Sequence, residues 1–180
     1  VVYYFGKKAC SEYVVGIRQN ILNDKPIIGT YNVNQEGSGD MYYKGSNILH
    51  TLRQLVENDT LWREVLTGLN TQFYHQTVTS KQVEDYISKK TDKDLSAFFN
   101  QYLRTNKIPK LEYLIKGKTL QFRYVNVVED FDMPLRVFIN EKEKWIFPNK
   151  DWKEILLEIK IKSLVIDANF YIETKQLESK

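Results

Sequence analysis

Gly37-Ser-Gly-Asp-Met-Tyr-Tyr-Lys-Gly-Ser-Asn-Ile-Leu-His-Thr-Leu-Arg-Gln-Leu-Val-Glu-Asn58 is the stretch from which the rest of the chain can be read. Gly37, Ser38 and Gly39 form a loop. Asp40 has the right chemistry for a helix N-cap, because its carboxylate can accept the orphan N–H groups of the next turn. Met41, Ile48, Leu49, Leu52, Leu55 and Val56 then recur at helical spacing, which predicts one buried face. Tyr42 falls in the first turn. Gly45 follows within the helix, where glycine costs ~1 kcal/mol relative to alanine. Close approach of another group to the backbone is one reason to keep it. Tyr42 has two readings at this point: a rim tyrosine with a packed ring and a wet hydroxyl, or a phenol that donates to a developing oxyanion.

Upstream, Val1 to Phe5 predicts the end of a helix, with Gly6 as its stop. Lys7 to Asn23 predicts a second helix with Ala9, Tyr13, Val14, Ile17 and Ile21 on one face, ended by Pro26. The segment 27–39, with Gly29, Gly37 and Gly39, predicts a long loop that delivers Tyr42. Downstream, Asn58 restarts a helix running to about Phe73, with Leu61, Val65, Leu66, Leu69 and Phe73 inward and Trp62 on the flank. Thr79 and Gln82 have capping-box spacing. Thr91 and Asp94 open a last helix with Leu95, Phe98, Phe99, Tyr102 and Leu103 as its stripe.

The period changes at Lys107-Ile108-Pro109. Leu111, Tyr113 and Ile115 alternate with their neighbours, as do Leu120, Phe122 and Tyr124. Leu135, Val137 and Ile139 repeat the pattern, as do Leu157, Ile159 and Ile161. Leu164 with Ile166, and Phe170 with Ile172, close the series. A period of two separated by turns such as Gly117-Lys118 predicts strands. The expected fold is therefore α+β in two parts: an all-α region over 1–108 and a small antiparallel β-sandwich over 109–180.

Tyr42-Tyr43-Lys44-Gly45, the long amphipathic helix after it, and the run from Thr77-Val78-Thr79-Ser80 through Phe98-Phe99-Asn100-Gln101-Tyr102-Leu103 resemble the zinc aminopeptidases typified by aminopeptidase N and leukotriene A hydrolase. The resemblance covers about residues 1–110 well, and the remainder as a pattern of strands. It implies that Tyr42, at the family's Tyr-x-Lys-Gly tyrosine, stabilises the tetrahedral intermediate. It also implies a β-sandwich after the helical catalytic region. The family's His-Glu-x-x-His, its glutamate ligand and its Gly-x-Met-Glu-Asn strand do not occur here. The chain thus reads as the C-terminal part of a zinc metallopeptidase acting on peptide N-termini, with the zinc ligands and the general base outside this chain. The expected fragment is inactive and metal-free, and self-associates through surface exposed by truncation. Gly37, Ser38, Gly39 and Lys44 are substrate-cleft candidates. Lys44 is open between carrying charge toward a substrate and being a solvated lysine of the first turn. His50 is open between the cleft and a packed position. The alternative is a non-catalytic helical-plus-β interaction module that has lost the metal site.

Composition excludes several classes. The 26 basic and 23 acidic residues are mixed along the chain, giving a net charge of +3, which argues against a nucleic-acid patch. No apolar run approaches the ~20 residues that span a membrane. Cys10, the single cysteine, cannot form an internal disulfide. Neither His50 and His75 nor any other set has structural-zinc spacing. Compartment is not readable.

Overall fold

The computed structural model describes residues 2–31 and 38–178. Five helices come first: α1 Val2–Gly16, α2 Asp40–Val56, α3 Asp59–Gln72, α4 Ser80–Thr91 and α5 Ser96–Arg104. Seven strands follow: β1 Lys110–Lys116, β2 Thr119–Val125, β3 Leu135–Ile139, β4 Lys142–Ile146, β5 Lys153–Leu156, β6 Leu164–Ile166 and β7 Glu173–Gln176. This is the two-part α+β architecture that the switch of period implies.

Local signals place most of the helix boundaries. Gly6 breaks α1 with φ 80° and ψ 175°, a conformation open to glycine. The second helical segment is shorter than its apolar pattern suggests. It tightens into a 3-10 turn at Ile17–Asn20, and Ile21 is extended. Its buried residues are Cys10 and Val14, while Tyr13 is exposed. Asn58 caps α3 by accepting the Leu61 N–H, and Thr79 with Gln82 forms the full capping box of α4. The α3 face is rotated from the expected one: Trp62 and Val65 are buried and Leu66 is exposed. Asp94 acts at the start of α5, accepting the Ser96 N–H at 2.9 Å.

The strands form two sheets, ordered β5-β2-β1-β7 and β4-β3-β6. β1 and β2 pair antiparallel around Gly117, whose φ of 61° suits the tight turn. Three features depart from the sequence pattern. Phe170–Ile172 is not a strand; the last strand begins only after it, at Glu173. β7 pairs parallel with β1, so the larger sheet is mixed. The Leu157–Ile161 alternation is not a strand; the pairing segment is β5 just before it, at Lys153–Leu156. Leu157 and Ile161 are instead tied by backbone bonds to Lys118 and Gly117.

One apolar core runs through both parts. It takes Ile48, Leu52 and Leu55 from α2, Phe98 and Phe99 from α5, Leu111, Leu120 and Phe122 from one sheet, and Leu135, Val137 and Ile139 from the other. Tyr102 sits at its centre, fully buried, and donates its hydroxyl to the Tyr171 carbonyl at 2.7 Å. The change from helix to strand falls between Arg104 and Lys110. A division of the chain into units at 108/109 remains a proposal, and the halves on either side of it share this core.

Two glycines give opposite predictions. A methyl group at Gly68 would lie 1.9 Å from the Tyr86 hydroxyl oxygen, so Gly68→Ala should destabilise by about 1–3 kcal/mol through overpacking. A methyl at Gly45 would meet nothing within 4 Å. Gly45→Ala should therefore stabilise by up to ~1 kcal/mol through helix propensity. The expected close approach at Gly45 is not found among the described residues. Tyr102→Phe should cost about 1–3 kcal/mol by leaving a buried carbonyl unpaired. Denaturant midpoints of the three variants check these values.

Candidate functional site

The start of α2 is built from backbone amides and short polar side chains. Gly39 occupies the cap position and Asp40 is the first helical residue. Ser38, nearly fully buried, takes the capping role expected of Asp40: its Oγ accepts the Asp40 N–H at 3.2 Å and donates to Asp24 Oδ1 at 2.8 Å. That bond holds the Asp24 carboxyl below the usual carboxylate range. The Asp40 carboxylate turns to the chain after the 3-10 turn and accepts the N–H groups of Leu22 at 2.9 Å and Asn23 at 2.6 Å. Asn23 has φ 50°, within reach of asparagine. Asp40 is 1% exposed, so these donors stand in for water at its carboxylate oxygens.

Asp40 begins a polar stripe along the buried side of α2. Lys44 comes next, with no exposed surface, and its Nζ donates to the Thr105 carbonyl at 3.0 Å. Burial lowers its pKa from the usual lysine value, and Asp40 partly opposes the shift. Lys44 is therefore neither solvated nor free to extend; its ammonium is committed to the chain just after α5. Asn47 donates to the Val14 and Tyr43 carbonyls and accepts from Arg18 Nε at 2.6 Å. Thr51 Oγ1 donates to the Asn47 carbonyl and accepts the Tyr171 N–H at 3.1 Å. His50 is packed, 5% exposed, with Nε2 at 2.9 Å from Asn169 Oδ1. The Asn169 amide nitrogen already donates to Asp167. Its oxygen therefore faces the histidine, and Nε2 is the donor.

Tyr42 lies on the other side of the same turn. It is 72% exposed, and among the described residues its hydroxyl has no hydrogen-bond partner. It borders an open groove of about 460 Å³ whose floor is apolar, with Met41, Gly45, Leu49, Val83 and Phe99 among its walls. Met41 and Leu49 were expected in the core; both are about two-fifths exposed and belong to this groove instead. Tyr43 is 41% exposed and does not border it. Of the cleft candidates, Gly39 is exposed at the cap, Ser38 and Lys44 are buried, and Gly37 lies outside the described residues. None of the three described ones lines the groove.

Among the described residues no three of His, Cys, Asp and Glu converge as metal ligands, so these residues do not fit a zinc site. No described helix is long and apolar enough to cross a membrane.

The fold is that of a known class. The chain is similar to the crystal structure of Legionella pneumophila aminopeptidase A in complex with aspartic acid, with a TM-score of 0.65 over 79% of this chain at 15% identity. The likeness is one of fold: the chain has an aminopeptidase-like fold and spans 18% of the length of that protein. No protein-family model matches the chain, and no curated protein matches it.

The Asp40, Asn47 and Thr51 bonds were not read from the sequence. Their spacing along α2 was visible, but it equally suits a solvated face. Burial of His50 gives a pH dependence. Desolvation is the main cause that lowers its pKa, and Arg53 and Arg18 add to it; Asn169 and Asp167 oppose it. The unfolded chain then binds a proton more readily than the folded one. Stability is fully present above the ordinary histidine value of about 6.5 and falls as pH drops below it. His50→Gln should lose less stability than the parent between pH 7 and pH 5. Melting temperatures of both proteins across that range check the sign.

Proposed function

We propose that this chain is part of a zinc-dependent aminopeptidase that removes residues from peptide N-termini, with the Tyr42 hydroxyl as hydrogen-bond donor to the oxyanion. The single observation that carries the reading is the placement of Tyr42. It stands at the first turn of a helix whose opposite side is pinned by Asp40, Lys44, Asn47 and Thr51, with its phenol free at the edge of a groove. The aminopeptidase-like fold supports the same reading. In this reading the metal ligands and the general base come from outside this chain.

In peptide-bond hydrolysis, water adds to the carbonyl carbon and the carbonyl oxygen becomes an oxyanion. A phenol O–H held at hydrogen-bond distance from that oxygen stabilises the transition state more than the ground state. The proton stays on Tyr42 throughout. Holding the helix rigid matters because an oxyanion donor works only when it is already in place.

A non-catalytic interaction module is the second reading. It is favoured by the exposed apolar side chains at Tyr4, Phe5, Met41 and Leu49, which are of the kind that mark association surfaces.

The test uses the chain joined to the segment that supplies the metal site. Tyr42→Phe keeps the ring and should leave stability unchanged while kcat falls about 100-fold or more with KM nearly constant. Tyr43→Phe, about 100° around the helix, should have a much smaller effect. Full activity in Tyr42→Phe removes the residue from the mechanism. The isolated chain should retain no stoichiometric zinc after chelation and hydrolyse no aminoacyl substrate. Metal analysis and a peptidase assay on the purified chain check this.

A further inference from the structure

A second cavity lies away from Tyr42, where the end of α2, the α4–α5 connection, the segment before β3, and the β4 and β5 strands meet. It measures about 600 Å³, within the range of clefts that hold a drug-sized ligand. Its apolar wall includes Leu55, Leu95, Phe98, Met133, Trp145 and Phe147. Phe98, Leu95 and Met133 are buried and fixed, and Trp145 is braced edge-on by Phe170 at 5.8 Å. Phe147 is 59% exposed and flanks the mouth. It shares no lining residue with the groove beside Tyr42.

Five charged side chains rim this cleft: Glu57, Lys93, Asp94, Asp132 and Lys153. Three are engaged. Glu57 lies 3.7 Å from Arg136, Asp94 accepts from Ser96, and Lys153 donates to the Phe147 carbonyl at 2.8 Å. The Lys93 ammonium and the Asp132 carboxylate have no hydrogen-bond or ion-pair partner among the described residues. Among the described residues, one unpaired cation and one unpaired anion thus stand over an aromatic floor.

We propose that this cleft binds a short free peptide with a bulky apolar side chain. Its terminal carboxylate pairs with Lys93, its terminal ammonium with Asp132, and its side chain packs against Trp145, Phe98 and Met133. Charge complementarity selects this class. A purely apolar ligand would use neither rim charge, and a simple anion or cation would use one. The size suits two or three residues. The proposal does not rest on the peptidase reading, because it uses no residue of the Tyr42 groove and no turnover.

The experiment is a titration of the full chain with Phe-Leu, Phe-Leu-Leu and Phe-Leu-Leu-Leu, read by calorimetry and by tryptophan fluorescence. Saturable binding is expected, with a change in emission that Trp145→Phe removes. N-acetylation and C-amidation of the best peptide should each weaken binding by roughly three- to fivefold, the scale of a partly exposed ion pair. The loss on acetylation should vanish in Asp132→Asn, and the loss on amidation in Lys93→Gln. Both positions are exposed, so these variants should fold. If Trp145→Phe unfolds, Phe147→Ala serves in its place and should weaken binding. No saturation at millimolar peptide overturns the proposal. So does binding that ignores blocked termini and both charge variants, since that is apolar adhesion only.

Discussion

The Asp40 carboxylate bonded to the Leu22 and Asn23 amides is the contact on which the rest of this structure turns. A buried carboxylate is tolerated only when its lone pairs meet donors. Two consecutive backbone N–H groups supply them here, and this fixes the chain after the 3-10 turn against the start of α2. Ser38 and Asp24 complete the turn from the other side. Once these bonds form, α2 has one rotation about its axis that satisfies them. That rotation sends Asn47, Thr51 and Lys44 inward and Tyr42 outward.

A helix with both a buried polar stripe and a buried apolar stripe is unusual in its demands. Ile48, Leu52 and Leu55 need only apolar neighbours, and many rotations would supply those. Lys44, Asn47 and Thr51 each need a particular acceptor or donor, and a near miss leaves a buried group unpaired. The polar stripe therefore specifies the arrangement while the apolar stripe supplies most of the driving force. The partners are spread along the chain: Val14, Arg18, Thr105 and Tyr171 all contribute. The stripe also joins the helical part to the segment before β7. Thr51 and Tyr102 bond the N–H and C=O of the same residue, Tyr171, and Asn23 bonds its hydroxyl. Helices and sheets are thereby held as one core.

Much of the fold was legible. The break at Gly6, the Asn58 and Thr79 caps, the alternation in β2 and β3, and the turn at Gly117 all follow from local chemistry acting over a few residues. Tyr42 was legible as a candidate because it sits in a recognisable segment; its exposure and the groove beside it were not. Neither reading of Lys44, toward a substrate or solvated, anticipated its burial, which depends on a carbonyl 61 residues downstream. Met41 and Leu49 were misplaced because the apolar period of α2 is wider than its buried face. The parallel β7 and the shift from Leu157–Ile161 to β5 were hidden because pairing partners are set by tertiary register and not by the strand's own alternation.

By itself the sequence determined where helices give way to strands, because backbone preference and side-chain period are properties of a few neighbouring residues. It also determined that the α2 segment carries a Tyr-x-Lys-Gly run on an amphipathic helix. Tertiary structure alone decided which polar residues of that helix are buried, which groove Tyr42 borders, and which rim charges of the aromatic cleft are left unpaired. The physical reason is the same in each case. Burial and pairing are relations between distant segments, and a polar side chain has the same identity in the sequence whether water or a carbonyl will satisfy it.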